Sequence, residues 1–393
     1  MAGGGVGYSE GTGALRQVVE ATGIPVAETQ AGKGSLAWDH PQSVGAIGAT
    51  GSTAANALAA EADLVIGLGT RWSDFMTASM SAFGDPDVSF VNINVAALDG
   101  HKLSGLSVVA DAREALQALT THLSGWRADP AYTRRASDLA HVWDGAVEAA
   151  YDPDGDPDIA PSQSQVIGAV NDLCGPRDVV VCAAGSMPGD LHKMWRTSDV
   201  MGYQVEYGYS CMGYEIAGGL GVKMAEPDRE VIVMVGDGSY LMMAQEIVTA
   251  VQEGIKLVVV VVQNHGFASI GALSKTVGVP GFGTNYRYRG DTGHLDGDIL
   301  SVDLAANAAS LGAQVLRADT LGAFRQCLSQ ALAATGTTVV HVECALATGS
   351  PSSQSWWDVP VAEVSTQAVT RAARTAYEQA KIGQRSHLTP FND

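Results

Sequence analysis

The strongest constraint on the fold is a pair of uniformly apolar runs, VIVMVG at residues 231–236 and VVVVVQ at residues 258–263. Each run is too short for a typical buried helix, and neither alternates polar and apolar residues as a strand with one exposed face does. The segment between the runs has the length and composition of a helix. Two buried strands joined through a helix lie parallel in one sheet. The pattern therefore predicts two central parallel strands covered by helices on both faces.

The same alternation of strand-like and helix-like segments extends along most of the chain. It predicts an α/β fold class, with two doubly wound parallel-sheet domains. We expect a first domain at residues 1–124 and a second domain at 161–348, with a long loop after the second apolar run. Residues 125–160, which end in YDPDGDPDIAP, are interpreted as a linker because Asp, Pro and Gly disfavour regular structure. A tail at 349–393 is expected to contain one further helix.

The charge and cysteine content exclude several classes of protein. The chain has 23 basic and 42 acidic side chains, which give a formal net charge of −19. Such an acidic chain is not expected to bind nucleic acid or an anionic membrane. The five cysteines show no CxxC pair, which argues against a zinc site or a disulfide framework. No membrane-spanning run and no signal peptide is recognised, so a cytoplasmic location is expected.

An acid and an amide follow the two apolar runs directly. Asp237 lies in the sequence GDG after the first run, and Asn264 comes after the second. In open parallel sheets, ligands bind beyond the carboxyl ends of the strands. Mg²⁺ prefers such oxygen ligands, Gly236 and Gly238 allow close backbone approach, and a helix starting near Ser239 favours an anion. A lone GDG is more often only a turn, and the paired asparagine is what favours a metal site.

GDG followed, one helix and one strand later, by Asn resembles the diphosphate–metal motif of thiamine diphosphate (ThDP) enzymes. The resemblance implies that Asp237, the Asn264 side chain and the Gly266 carbonyl bind Mg²⁺. In YGYSCMGYEIAGGLG, Met212 matches the bulky residue that supports the cofactor in the acetolactate synthase-like branch of this superfamily. In GSMPGDLHKMW, His192 matches a histidine that contacts the diphosphate. Without the neighbouring motif, Met212 is equally explained as a core residue, and a histidine such as His192 is more often structural.

Longer segments extend the resemblance over essentially the whole chain. QNHGFASIGALS, FGTNYRYR and SWWDVPVAEVS resemble the trihydroxycyclohexane-1,2-dione hydrolases of myo-inositol catabolism. This implies a ThDP- and Mg²⁺-dependent hydrolase that opens a small cyclic dione to 5-deoxy-glucuronate. His265 is a candidate for proton transfer because it is the ionisable residue nearest to the metal ligands. Two alternatives stay open: an acetolactate synthase-like carboligase or decarboxylase, in which GGGVGY and Arg71 would contact FAD, and a non-catalytic partner subunit.

Family members carry a pyrimidine-binding domain before the domain with which this sequence begins. That domain supplies the glutamate that activates the cofactor, and Glu28 of the first domain is not a replacement for it. We therefore expect the isolated chain to bind ThDP weakly and without turnover. A homo-oligomer or a separate pyrimidine-domain chain is the expected partner. Trp356 and Trp357 are expected to attach the tail to the body of the protein.

Overall fold

A computed structural model describes residues 1–152, 156, 158–279, 281–345 and 349–386. Within these ranges, none of the helices has both the length and the apolar character needed to cross a membrane. The described residues form two parallel-sheet units, a long helix that follows the first unit, and a tail that returns to it. The α/β fold class predicted from the sequence is thereby confirmed.

The first domain alternates helices and strands, as expected. Its helix α2 ends where Gly23 adopts a left-handed conformation with φ of 73°, a geometry that glycine adopts without steric cost. The elements of this domain are α1 Gly4–Tyr8, α2 Thr12–Thr22, β1 Val26–Glu28, β2 Ser43–Ala46, α3 Thr53–Glu61, β3 Leu64–Leu68, β4 Ser89–Asn94, α4 Ala97–Gly100, β5 Leu106–Val109 and α5 Ala112–His122.

Every strand pairing in the first domain is parallel. β3, β4 and β5 pair in that order, and β1 pairs with β2. Parallel bridges from Ala2 to Glu28 and to Leu68 join the two groups, so that Ala2 lies between β1 and β3. The carboxyl ends of β1, β3 and β4 consequently open on the same edge of the sheet.

The expected linker at residues 125–160 contains a 22-residue helix, α6 Pro130–Tyr151. Asp129 caps its first turn by accepting a hydrogen bond from the Ala131 amide at 2.7 Å. Helical spacing places Trp143, Val147 and Tyr151 on one buried face that packs against both domains. The prediction was wrong for this segment because the Asp, Pro and Gly residues that suggested a linker are confined to its end.

The second domain carries the longer sheet. Its elements are α7 Gln163–Leu173, β6 Val179–Cys182, α8 Met187–Met194, β7 Tyr203–Val205, α9 Tyr214–Ala225, β8 Val231–Gly236, α10 Asp237–Met242, α11 Glu246–Gln252, β9 Val258–Gln263, α12 Ala268–Thr276, α13 Leu304–Ser310, β10 Gln314–Ala318, α14 Leu321–Ala333 and β11 Thr338–Glu343. Two short helices, α10 and α11, replace the single helix predicted between β8 and β9. The predicted long loop after β9 contains α12, so that part of the prediction was also wrong.

The two apolar runs are the central strands of this sheet. The strand order is β10-β11-β9-β8-β6-β7, and all pairings are parallel. Ile232 and Met234 of β8 belong to one buried cluster, whereas Val233 and Val235 belong to the cluster on the opposite face. Because each face packs on helices, successive residues all need to be apolar, which accounts for the absence of alternation in the sequence.

The tail crosses from the second domain back to the first. Trp357 Nε1 donates to Asp74 Oδ2 at 2.7 Å, and its ring lies 4.7 Å from the ring of Phe75. The helix α15 Ala368–Lys381 follows, and Thr370 within it donates to the carbonyl of Gly278. Trp357 thus attaches the tail to the body of the protein, as the sequence predicts.

Candidate active site

Asp237 joins the ends of the two central strands. It is the first residue of α10 and is 1% exposed. One carboxylate oxygen, Oδ2, accepts hydrogen bonds from the amides of Asn264 and Gly266, each at 3.1 Å. The other, Oδ1, accepts from the Gly238 amide at 2.7 Å. The parallel pairing of β8 with β9 brings these residues together, because it ends both strands at one edge of the sheet.

The charge of this carboxyl group is incompletely compensated by the protein. Burial raises the pKa of Asp237, and the surrounding backbone amides act in the opposite direction. Beside it, the side-chain oxygen Oδ1 of Asn264 is buried and has no hydrogen-bond partner. No cluster of three His, Cys, Asp or Glu side chains that could hold a metal occurs among the residues the structure describes. One carboxylate with neutral oxygens, completed by phosphate and water, fits the octahedral oxygen coordination of Mg²⁺.

A cavity of about 240 Å³ opens beside Asp237. It brings together most of the residues that the sequence predicts for the site, including the half-buried Met212. It also contains residues that the sequence analysis did not identify, and Gln163 is fixed there by bonds to Asp190 and Ser186. The predicted residues lining the cavity are Met212, Gly236, Asp237, Gly238, Ser239, Asn264 and Gly266; the residues not predicted are Gln163, Ala184, Gly185, Ser186, Met187, Ser210, Phe267, Ala268, Ser269 and Ile270.

The hydroxyl of Ser239 is engaged within the protein. It donates to the carboxylate of Glu215 at 2.7 Å and accepts from the Gly213 amide at 2.8 Å. Glu215 is 1% exposed and was missed by the sequence analysis. Its position in MGYEIAGG, directly after the segment that contains Met212, was the available signal, because a glutamate in an otherwise apolar and small-residue helix requires an internal partner.

His192 lies outside this cavity. Its Nδ1 is 3.0 Å from Thr50 Oγ1 and its Nε2 is 3.3 Å from the carbonyl oxygen of Glu28, so the ring contacts the first domain. Burial lowers its pKa to about 3, which keeps the ring neutral. This placement does not support the expected diphosphate contact, which stays a prediction. Position 192 follows Met187 by five residues, which turns its side chain about 140° around the helix from the residue that lines the cavity.

His265 also points away from the cavity. It adopts a left-handed backbone conformation with φ of 60°, and its Nδ1 accepts from Gln263 Nε2 at 3.2 Å. Its Nε2 lies 3.7 Å from a carboxylate oxygen of Glu343 at the end of β11. This direction does not support the expected proton transfer at the metal, although the neighbours of His265 in sequence line the cavity. The left-handed residue reverses the chain locally and directs consecutive side chains to different sides.

A second, larger cavity of about 660 Å³ lies at the carboxyl edge of the first sheet. Its lining includes Gly5, Arg71, Asn94 and Asp111, and His192 is one of the lining residues from the second domain. Gly4 and Gly5 of GGGVGY line this cavity together with Arg71, and these are the residues that the carboligase alternative assigns to FAD. The larger cavity thus does not contain the acid and amide pair.

Two family models match this chain. The model described as thiamine pyrophosphate enzyme, central domain, matches residues 1–119, and the one described as thiamine pyrophosphate enzyme, C-terminal TPP binding domain, matches residues 183–342. The chain belongs to the thiamine pyrophosphate enzymes. Thiamine pyrophosphate is another name for ThDP, and the second match includes both Asp237 and Asn264.

Several curated relatives of this chain carry the same name. The 3D-(3,5/4)-trihydroxycyclohexane-1,2-dione hydrolase of Bacillus cereus (strain AH820) is 41% identical over 95% of this chain and 62% of its own length. The protein of that name from Bacillus anthracis gives the same values. The one from Bacillus thuringiensis (strain Al Hakam) is 40% identical over the same shares. The chain thus spans about three-fifths of the length of these relatives.

Proposed function

We propose that this chain forms the central and diphosphate-binding parts of a ThDP-dependent hydrolase that opens trihydroxycyclohexane-1,2-dione to 5-deoxy-glucuronate. The observation that carries the substrate is the 41% identity to hydrolases of that name, which extends over 95% of the chain. The identity to hydrolases of this name favours the hydrolase over an acetolactate synthase-like carboligase, which would share the acid and amide pair. The intact pair counts against a non-catalytic subunit. We also propose a role in myo-inositol catabolism in the cytoplasm, with a small-molecule substrate.

The cofactor anchor is proposed to be a Mg²⁺ site. The Asp237 carboxylate, the Asn264 side-chain oxygen and the Gly266 carbonyl would bind the ion, which would be shared with the diphosphate. The buried, unpartnered oxygen of Asn264 supports this assignment, because leaving such an atom without a partner costs about 1–3 kcal/mol in the absence of a ligand. ThDP, when bound, supplies an electron sink for breaking the bond between the two carbonyl carbons of the substrate.

The chain's own residues are proposed to position the cofactor and to exclude water from it. Met212 presents a polarisable, adaptable side chain to the cavity, where it would support the cofactor from one side. Gly236 and Gly238 keep the backbone accessible to the diphosphate, and the Ser239 segment lies beside it at the start of α10. The pyrimidine-binding part is proposed to come from another domain or chain in a homo-oligomeric or two-chain assembly.

Calorimetric titration of ThDP with Mg²⁺ into the chain tests this anchor. We expect saturable, Mg²⁺-dependent binding that Asp237→Ala weakens at least about 100-fold, the upper end of the cost of losing an outer-shell partner of a metal ligand. Glu230→Gln is the matched control, since Glu230 immediately precedes β8 at the opposite edge of the sheet and pairs with Lys256. Equal affinity of the wild type and Asp237→Ala would reject the assignment.

The substrate is tested in the assembly that includes the pyrimidine-binding part. Incubation with trihydroxycyclohexane-1,2-dione is expected to give 5-deoxy-glucuronate in a reaction that requires both ThDP and Mg²⁺. Pyruvate serves as the competing substrate for a carboligase. Consumption of pyruvate without hydrolysis of the cyclic dione would overturn the proposal in favour of the carboligase.

A further inference from the structure

A buried carboxylate connects three walls of the Asp237 cavity. Glu215, the second residue of α9, has both of its oxygens bound to Ser239 Oγ, at 2.7 and 2.8 Å. Its Oε2 also accepts from the Gly213 amide at 3.0 Å, and its Oε1 accepts from the Ala184 amide at 3.4 Å. The Gly213 amide makes a second bond, to Ser239 Oγ at 2.8 Å, which closes the triangle.

Each partner of Glu215 belongs to a different part of the cavity wall. Ala184 follows β6, Gly213 follows Met212 directly, and Ser239 is two residues after Asp237. These parts are separate in sequence and are not neighbours in one helix or one strand. Glu215 is therefore the common point through which the position of Met212 is set relative to the start of α10.

The backbone around Met212 needs such a restraint. Ser210 has a φ of 52° and Gly213 a φ of 95°, so two left-handed residues flank the methionine. A Cβ atom on Gly213 would lie 2.9 Å from the Cβ of Met243, which leaves no room for another residue. Cys211 and Tyr209 are exposed, and Met212 itself is half-buried, so packing alone holds this segment weakly. Glu206 restrains it on the side before Met212 by accepting from the amides of Tyr209 and Cys211, which leaves Glu215 as the restraint on the side of Gly213.

The choice of a carboxylate at this position is costly for stability. Glu215 is 1% exposed, its partners are a hydroxyl and backbone amides, and burial raises its pKa. Burying a carboxyl group with neutral partners costs more than burying an apolar side chain of similar size. A group kept at such a cost next to a cofactor cavity indicates a role in the geometry of the site.

We propose that Glu215 is a positioning residue that fixes Met212 at a set distance from the diphosphate end of the site. This inference rests on the proposed function for its consequence, since the distance matters only when a cofactor bridges the two walls. Loss of the carboxylate releases the Met212 segment while Asp237, Asn264 and Gly266 keep their mutual hydrogen bonds. Cofactor affinity then falls through misplacement of Met212, and the metal ligands stay in place.

Two measurements on the full chain test the proposal with Glu215→Gln, Ser239→Ala, the double variant and the control Glu230→Gln. Hydrogen exchange of the ligand-free chain is expected to rise at least about tenfold at the Gly213 amide in Glu215→Gln, while the amides of β9 stay protected. The dissociation constant of ThDP with Mg²⁺ is expected to rise about fivefold in each single variant, the loss that follows from removing the Met212 contact. The double variant is expected to bind ThDP no more weakly than Glu215→Gln does, because both changes remove one shared interaction.

The outcomes separate this proposal from the proposed function. Unchanged exchange at Gly213 in both single variants rejects the restraint, whatever the cofactor does. Additive losses of affinity in the double variant reject the shared role of Glu215 and Ser239. A wild type that fails to bind ThDP rejects the proposed function, and the exchange measurement then still decides whether Glu215 holds the Met212 segment. Should Glu215→Gln fail to fold, Ser239→Ala alone provides both readouts.

Discussion

Two asparagines at the carboxyl ends of parallel strands differ in one respect. Asn94 ends β4 in the first domain, and both ends of its amide group are satisfied: Nδ2 donates to the Thr70 carbonyl and the oxygen accepts from the Ala96 amide, each at 2.9 Å. Asn264 follows β9 in the second domain, and its buried oxygen has no partner. The first asparagine is satisfied by the loops after β3 and β4, whereas the second leaves an oxygen that the proposed Mg²⁺ would bind.

The cavity beside the satisfied Asn94 is larger than the cavity beside the unsatisfied Asn264. The one near Asn94 has about 660 Å³ and the one near Asn264 about 240 Å³. A large cavity at a sheet edge is a common site for ligands, but volume does not identify the ligand. The buried acid together with an unpartnered amide oxygen is chemically more specific than the larger space.

Changing each asparagine to alanine tests this difference most directly. We expect Asn264→Ala to weaken ThDP binding with Mg²⁺ at least about 100-fold, by the same reasoning as for Asp237. Its stability without ligand should change little, because an unsatisfied oxygen is removed. Asn94→Ala should instead lower the free energy of unfolding by about 1–3 kcal/mol and leave cofactor affinity unchanged. Calorimetry and denaturant unfolding of both variants check these expectations. Equal changes of affinity and of stability in the two variants would contradict the difference between the two asparagines.

Glycines at the two cavities also differ in the space available for a side chain. A Cβ on Gly5 would lie 2.6 Å from the backbone of Gly69, and one on Gly238 would lie 2.8 Å from the ring of Phe267. Backbone atoms can move less than a side chain to make room for a Cβ. Gly5→Ala is therefore expected to lower the free energy of unfolding by about 3 kcal/mol, and Gly238→Ala by about 1–2 kcal/mol. Gly236→Ala, where a Cβ meets open space, is the control. Thermal unfolding of the three variants checks this order of stability loss. The order is contradicted if Gly236→Ala lowers the stability most.

A smaller effect on stability is expected from His192, one of the residues that line the larger cavity. The pKa of His192 is lowered from 6.5 to about 3 by burial, so unfolding below pH 6.5 takes up a proton. The free energy of unfolding should therefore decrease as the pH is lowered below 6.5, and the decrease should reach about 2 kcal/mol at pH 5. Denaturant unfolding of His192→Gln should show a flatter pH profile between pH 5 and 7. His122→Gln, which changes an exposed histidine, should keep the wild-type slope; an unaltered slope in His192→Gln would contradict the assignment.

The smallest expected effect concerns Met212. Because the side chain is half-buried and lines the smaller cavity, Met212→Ala removes roughly 1 kcal/mol of apolar contact with a bound cofactor, or about fivefold in affinity. Met212→Leu should keep nearly all of the affinity, because its volume is similar. Titration with ThDP distinguishes the two variants. A loss that is equal in both would indicate that sulfur chemistry, and not bulk, is what the site needs.

The sequence predicted the sheet and one edge of the site because these depend on local patterns. Val258–Gln263 could only be a strand with two buried faces, and a parallel neighbour then brings Asp237 to Asn264. Side-chain direction was less predictable. His192 depends on its phase around α8, and His265 depends on a single left-handed residue. Glu215 was missed because two of its partners, Ala184 and Ser239, come from distant segments. The helix α6 was missed because the irregular end of its segment was extended to the whole.

The returning tail changes how the two domains are connected mechanically. Asn56 Nδ2 donates to the Ser353 carbonyl, Ser353 Oγ donates to the Ala49 carbonyl, and the Arg385 amide donates to the Met80 carbonyl. The tail and α6 thus both connect the two domains, in addition to direct contacts such as the bond from Gln30 Nε2 to the Pro188 carbonyl. Cleavage of the chain between α6 and α7 would therefore leave two fragments that stay associated, and force applied between the domains would be shared by the tail and these direct contacts.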